Sequence, residues 1–188
     1  SILDALSELI KIGKIRNIGL SNETPWGTME FIHQSKDKDL PKMQSIQNAY
    51  NLLNRIFEFG GSEIAFRENV GLLAYSPLAQ GYLTGKYQNG NLPKGSRKEL
   101  FDRLQRYEGV GSEEAIESYL NIAKKYNIDP SQLANQFVTT RPFVTSNIIG
   151  ATSMEQLKLA ITSIEVDLTE EIENEIEKAF QKHGNVAS

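Results

Sequence analysis

The sequence predicts an α/β fold: a parallel sheet built of βα units, with room for about half of an eight-stranded (β/α)8 barrel. Helical and strand signals alternate along the whole chain, with no low-complexity stretch and no detectable repeat. Four short apolar runs each stand next to a helical pattern, the sign of parallel strands joined by helical crossovers. A complete barrel takes about 250 residues. A chain of 188 residues with four strands has room for about half of one.

The elements follow in order. Residues 2–12 place Ile2, Leu6, Leu9 and Ile10 on one helical face and stop at Gly13. An amphipathic pattern that begins this early is expected of a fragment of a longer domain. Residues 15–20 read as a short buried strand ending at Ser21-Asn22. Thr24 caps the next helix, with Pro25 in first position and Trp26, Met29 and Ile32 inward. Residues 43–47 form the second strand. Gly60-Gly61 and Ser62 introduce a short helix to about Asn69, closed by Gly71, and residues 72–75 form the third strand before Pro77.

Residues 79–97, rich in Gly, Asn and Lys, read as a long loop, which in a compact domain is usually functional. Ser112 caps a helix to about Tyr126 with Ile116, Tyr119, Leu120 and Ala123 on one face. Asp129-Pro130 opens another, striped by Leu133, Ala134, Phe137 and Val138. Residues 145–149 form the fourth strand, and Ser153 with Gln156 supplies a capping-box pattern for a helix to about Ser163. The last helix runs from Thr169 to about His183, with Ile172, Ile176 and Phe180 inward and Gly184 at its end.

Composition narrows the function. Twenty basic against 24 acidic residues give a net charge of −4, which argues against a nucleic-acid surface. The absence of cysteine excludes disulfides, thiolate zinc sites, iron–sulfur clusters and cysteine nucleophiles. His33 and His183 stand too far apart in sequence to make a metal site alone, so none is expected. No apolar run approaches the roughly 20 residues that span a bilayer. The amino end carries Asp4 and no early basic run, unlike a signal peptide, and a cytoplasmic location is the default expectation. His33 reads as a helix-surface or half-buried residue, Trp26 as core or staple, and the acidic run 170–177 as a solvated helix face.

Ligands of parallel α/β folds bind where strands deliver their carboxyl ends. The residues there are Ser21-Asn22, Gln47 with Tyr50, Tyr75-Ser76-Pro77-Leu78, and Gly150-Ala151-Thr152-Ser153. Amides, hydroxyls, an aromatic ring and a helix N-terminus suit a ligand with a planar polar ring at one end and a phosphate at the other. Lys86 and Arg97, in the intervening loop, offer counter-charge.

Four segments carry a specific resemblance: residues 13–22 (GKIRNIGLSN), 46–55 (IQNAYNLLNR), 72–87 (LLAYSPLAQGYLTGKY) and 141–157 (RPFVTSNIIGATSMEQL). In this order and at this spacing the chain resembles the aldo-keto reductase family, especially its Tas-like and potassium-channel β-subunit-like branch. The resemblance implies a (β/α)8 TIM-barrel fold, with this chain, 1–188, as one amino-terminally truncated domain of about four βα units plus a carboxy-terminal helix. It implies NADP(H)-dependent reduction of a small-molecule carbonyl substrate. Ser21, Asn22 and Gln47 would hold the nicotinamide carboxamide, and Tyr75 would stack on the ring. Ser76, Pro77, Leu78 and Gly81 would form the pyrophosphate turn, with Lys86 and Arg97 in the clasping loop. Gly150, Thr152 and Gln156 would receive the 2′-phosphate and adenosine.

The chain also departs from the family's pattern. The catalytic Asp, Tyr, Lys and His of the family come from its first four strands, and none has a counterpart here. Leu159 and Ala160 stand where Glu-Asn usually grips adenine, and Asn135-Gln136 replaces apolar residues at core-facing positions. Buried amides cost stability unless they are hydrogen-bonded. Half a barrel leaves two open strand edges, so self-association, a complementing amino-terminal half or marginal stability is expected. A non-catalytic or vestigial NADP(H)-binding or partner-binding fragment is the alternative.

Overall fold

The computed structural model describes residues 1–101 and 105–187. After α1 (Ile2–Lys11), the N–H groups of Lys14 and Ile15 bond back to the Leu9 carbonyl. Those donors are thereby withdrawn from the sheet, and β1 shrinks from the expected 15–20 to Gly19–Ser21. Ile18 and Met43 pack under Leu3 of α1 in a small satellite core, just before the paired rows begin, where the Gln44 N–H donates to the Ile18 carbonyl at 2.8 Å. α2 (Pro25–Asp37) leads to β2 (Ser45–Ala49), and α3 (Gly61–Glu68) leads to β3 (Gly71–Tyr75). Then come α4 (Arg97–Phe101), α5 (Ser112–Lys125), α6 (Pro130–Thr139), β4 (Val144–Ile148), α7 (Met154–Thr162) and α8 (Glu170–His183).

The four strands are parallel and ordered β1-β2-β3-β4. Right-handed βα crossovers of this kind put helices on one face of the sheet, and Ile46, Leu72 and Ala74 are buried there. Tyr50 stacks on Phe137 at 5.8 Å and meets Phe143 edge-on at 5.3 Å in the centre of this core. β1 and β4 each have one neighbouring strand, so their outer edges are unpaired among the described residues. α7 contributes no buried residue and exposes Met154 and Ile161. This is the condition of a barrel opened along two edges.

Several local expectations are corrected. Trp26 is 75% exposed: the inward stripe of α2 is Thr28, Ile32 and Ser35, and Trp26 stands about 200° around the helix from Thr28. Asn69, at φ 52°, ends α3, and Gly71 is already in β3. Residues 79–97 are not an open loop: Ala79–Thr84 and Gln88–Gly90 form 3-10 turns that bury Ala79, Tyr82, Leu83 and Tyr87. Ser112 is the first residue of α5 rather than its cap, and its hydroxyl donates to the Val186 carbonyl at 3.3 Å. Phe180 is half-buried, its ring 4.0 Å from the Arg55 guanidinium.

Arg55 fastens the carboxy-terminal segment to the loop after β2. Its side chain is 9% exposed, bonds Glu58 through Nε (2.7 Å) and Nη2 (2.8 Å), and reaches Glu177 of α8 at 3.0 Å. Its backbone N–H donates to Asn185, and Ala187 donates to the Leu53 carbonyl. Burial alone would lower the pKa of the guanidinium, but the bonds to Glu58 and Glu177 outweigh it and hold Arg55 firmly cationic. Among the described residues no helix is long and apolar enough to cross a membrane.

The two polar residues of α6 differ in outcome. Gln136 donates through Nε2 to the Val166 carbonyl at 3.1 Å, while its Oε1 has no partner. Asn135 is 1% exposed and neither of its side-chain polar atoms is bonded. Replacing an unsatisfied buried amide by an apolar group of similar size removes a desolvation cost, so Asn135→Leu is expected to raise unfolding free energy by about 1–2 kcal/mol. Urea denaturation checks this, and a loss of stability would contradict it.

Candidate functional site

The strand register assembles the carboxyl-end residues. Ser21 pairs with Gln47, which pairs with Leu73, and one step further along the strands Ala49 pairs with Tyr75 and Tyr75 with Ile148. These residues occupy the open face of the sheet, opposite Ile46, Leu72 and Ala74. The Asn22 N–H donates to the Gln47 carbonyl at 2.9 Å, and Asn22 takes φ 53°, a conformation Asn tolerates. That turn brings its side chain across to β3, where the Tyr75 hydroxyl donates to Asn22 Oδ1 at 2.7 Å. Ser21, Asn22, Gln47 and Tyr75 thus form one group, with both amides exposed.

A second group follows β3. Ser76 sits at φ 57°, and the N–H groups of Ala79 and Gly81 close tight turns onto the carbonyls of Ser76 and Leu78. Pro77 is buried and Leu78 half-buried beneath the turn. The turn is pinned from outside by Asn51, which is fully buried. Its Nδ2 donates to the Ser76 carbonyl (2.9 Å) and the Tyr107 hydroxyl (3.1 Å), while its Oδ1 accepts from Leu53 and Asn54. Gly81, at φ 104°, occupies a conformation in which a side chain would be strained, while a Cβ there would meet only the movable end of Lys86. Lys86 lies across this glycine with its ammonium 5.1 Å from the Tyr87 ring centre. A glycine surface with an ammonium laid across it suits the approach of a phosphate group.

Gly150, Thr152 and Gln156 form a third, exposed group at the start of α7. Ser153 Oγ accepts from the Gln156 N–H at 3.2 Å, as the capping pattern predicts. The Gln156 side chain, however, reaches one residue further back, accepting from the Thr152 N–H (2.9 Å) and hydroxyl (3.1 Å). Gly150 has open space where a Cβ would be. Arg97 stands exposed at the first position of α4, and no bond to the other groups places it with them.

Two contributors had no signal in the sequence. Asn51 acts on Ser76 and Tyr107 across 25 and 56 residues of chain. Arg106, in the 3-10 turn Gln105–Tyr107, donates through Nη1 to the Tyr75 hydroxyl at 3.4 Å. A helix-spaced or strand-spaced pattern reveals neither.

Known proteins resemble this chain in sequence. A sequence model described as the aldo/keto reductase family matches residues 1–181. Protein tas of Escherichia coli (strain K12) is 49% identical over 179 residues, covering 95% of this chain and 52% of that protein. An aldo-keto reductase of Babesia bovis is 40% identical over 188 residues, covering 96% of this chain and 66% of the relative. L-glyceraldehyde 3-phosphate reductase of Escherichia coli (strain K12) is 32% identical over 162 residues, which is 82% of this chain and 46% of that protein. The chain spans about half the length of most of these curated relatives.

α4 is held against the turn after β3 by a polar latch. Lys98 pairs with Glu108 at 2.6 Å, the Tyr82 hydroxyl donates to the same carboxylate, and the Lys98 N–H donates to the Tyr87 hydroxyl at 3.2 Å. Lys98 first, and then Tyr82, hold the Glu108 carboxyl below the usual carboxylate range, while burial and Glu108 push the Tyr82 phenol up to about 12. A depressed carboxylate stabilises the folded state above its ordinary pKa, and that stabilisation is lost as pH falls through the lowered value. At neutral pH, Glu108→Gln removes the charge and is expected to speed tryptic cleavage after Arg97 and Lys98 by about 2–5-fold, the scale of a solvent-screened pair. An unchanged cleavage rate would show that the latch holds nothing.

Proposed function

Because the chain belongs to the aldo/keto reductase family, we propose that it carries the cofactor-holding half of a cytoplasmic NADP(H)-dependent reductase acting on aldehydes or ketones. Its four parallel strands are the second half of that family's (β/α)8 TIM barrel. When bound, the cofactor supplies the hydride exchanged with the substrate carbonyl. The residues of this chain orient it. Ser21, Asn22 and Gln47 pair with the carboxamide edge, since amides and hydroxyls offer both donors and acceptors. Tyr75 stacks on the nicotinamide ring and leaves its other face open.

Ser76, Pro77, Leu78 and Gly81 form the turn that receives the pyrophosphate, with Lys86 and Arg97 as counter-charge. Gly150, Thr152, Gln156 and the first turn of α7 take the 2′-phosphate and adenosine. Binding exchanges two internal arrangements for ligand bonds: the Tyr75–Asn22 bond, and the clasp of Gln156 on Thr152. The observation that carries the reading is the 2.7 Å bond between Tyr75 and Asn22, which sets a ring and an amide side by side at the carboxyl ends of the strands.

The Asp, Tyr, Lys and His that the family resemblance assigns to catalysis have no counterpart here. The reaction is therefore proposed for a barrel completed along the edges of β1 and β4 by an amino-terminal half, whether in the same polypeptide or another. A second reading, cofactor binding without turnover, rests on Leu159 and Ala160 in place of adenine-gripping side chains and on the unbonded Asn135.

Calorimetric titration with NADPH tests the site. The chain is expected to bind one equivalent saturably, and Asn22→Ala and Tyr75→Ala each to weaken binding by roughly 10-fold, the worth of one hydrogen bond or stacked ring. A folded chain that does not bind NADPH, or variants that bind as well as the parent, would contradict the assignment. Carbonyl-dependent NADPH oxidation after addition of the amino-terminal half separates the first reading from the second.

A further inference from the structure

A cleft of about 310 Å³ opens beside Asn22 and Tyr75, on the helix-covered side of the sheet. Ser21 and Gln47 face the other side and take no part in it. The floor is apolar, built from Ile46 of β2, Phe57, Ile64 of α3 and Val70. The cleft's polar side chains include Asn22, Asn48 and Arg106, together with Glu23, whose carboxylate accepts from the Thr24 N–H and hydroxyl.

Two of these have unused capacity. Asn48 spends Nδ2 on the Glu23 carbonyl at 3.1 Å, while its Oδ1 is buried with no partner. Arg106 is exposed, and among the described residues its guanidinium makes one long bond to a neutral hydroxyl and no ion pair. An apolar floor with a few converging polar groups is the common form of a small-molecule site, and this volume is at the small end of that class. A buried acceptor without a donor keeps its desolvation cost until a donor arrives. A planar guanidinium fork matches a carboxylate in two parallel bonds.

We propose that this cleft binds a small hydroxylated aromatic carboxylate: the ring on the apolar floor, the carboxylate on Arg106, and the hydroxyl donating to Asn48 Oδ1. The site is separate from the proposed cofactor groups and touches them only through Tyr75 and Asn22 at its rim. A single substituted ring fits within this volume.

The test is an NMR titration of the ¹⁵N-labelled chain with 4-hydroxybenzoate, and with 4-hydroxybenzamide as its neutral counterpart. Saturable shifts are expected at Asn22, Asn48, Phe57 and Ile64 with the carboxylate, and roughly 10-fold weaker binding of the amide, as for loss of one charge-assisted bond. Arg106→Gln, at an exposed position, should lower affinity for the carboxylate to that for the amide and leave the amide's unchanged. Equal affinities for the two probes, shifts confined to other residues, no saturable shifts, or an Arg106→Gln variant that binds the carboxylate as before would each overturn the proposal. NADPH binding by the same sample is read independently, so failure of the cofactor reading is distinguishable from failure of this one.

Discussion

The register of four parallel strands is the constraint on which the rest of this structure depends. Strand side chains alternate between faces, so a slip of one residue would carry Gln47 and Tyr75 from the open face into the helix-covered core. Close approaches at the amino ends of the strands lock that register. A Cβ on Gly19 would lie 2.7 Å from Ser45 Oγ and 2.9 Å from its carbonyl oxygen, and one on Gly71 would collide with Thr145 Oγ1. Only glycine lets these neighbours sit where they do. With the rows fixed, Ser21 meets Gln47 and the Tyr75 hydroxyl meets Asn22, and the site follows from the sheet.

Around that sheet, buried polar groups hold the loops of the proposed cofactor site. Asn51 pins the Ser76 turn, and Arg55, between Glu58, Glu177 and two aromatic rings, ties the loop after β2 to α8. Buried charges of this kind add little net stability, but removing one partner leaves the other uncompensated. Their effect is positional: they fix where the strand ends lie relative to the carboxy-terminal helix. The unbonded amide of Asn135 and the unbonded Oδ1 of Asn48 lie in different settings, one inside α6 and one on a residue that lines an open cleft.

The fold class and the order of elements were legible in the residues, because alternating apolar runs and helix caps such as Thr24-Pro25 and Asp129-Pro130 are local signals. Strand boundaries were less so: Ile15, Ile18 and Met43 look like strand residues but pack under α1 or close its end. Trp26 was misplaced because residue type suggested burial where helical phase did not. The groups after each strand were legible from their position and from the family resemblance. Arg106, Asn48 and Asn51 were not, since each works through a partner distant in sequence. The latch of Lys98 and Glu108 was hidden for the same reason, within a segment that composition alone marks as loop.

The central claim is that the strand register assembles a nicotinamide site on this chain without the other half of the barrel. Saturation-transfer NMR with NADP⁺ tests it most directly by reading which cofactor protons lie against which side chain. The account predicts transfer between the Tyr75 ring and the nicotinamide protons, and its disappearance in Tyr75→Ala. Transfer to the adenosine protons alone, with none at the nicotinamide, would contradict it.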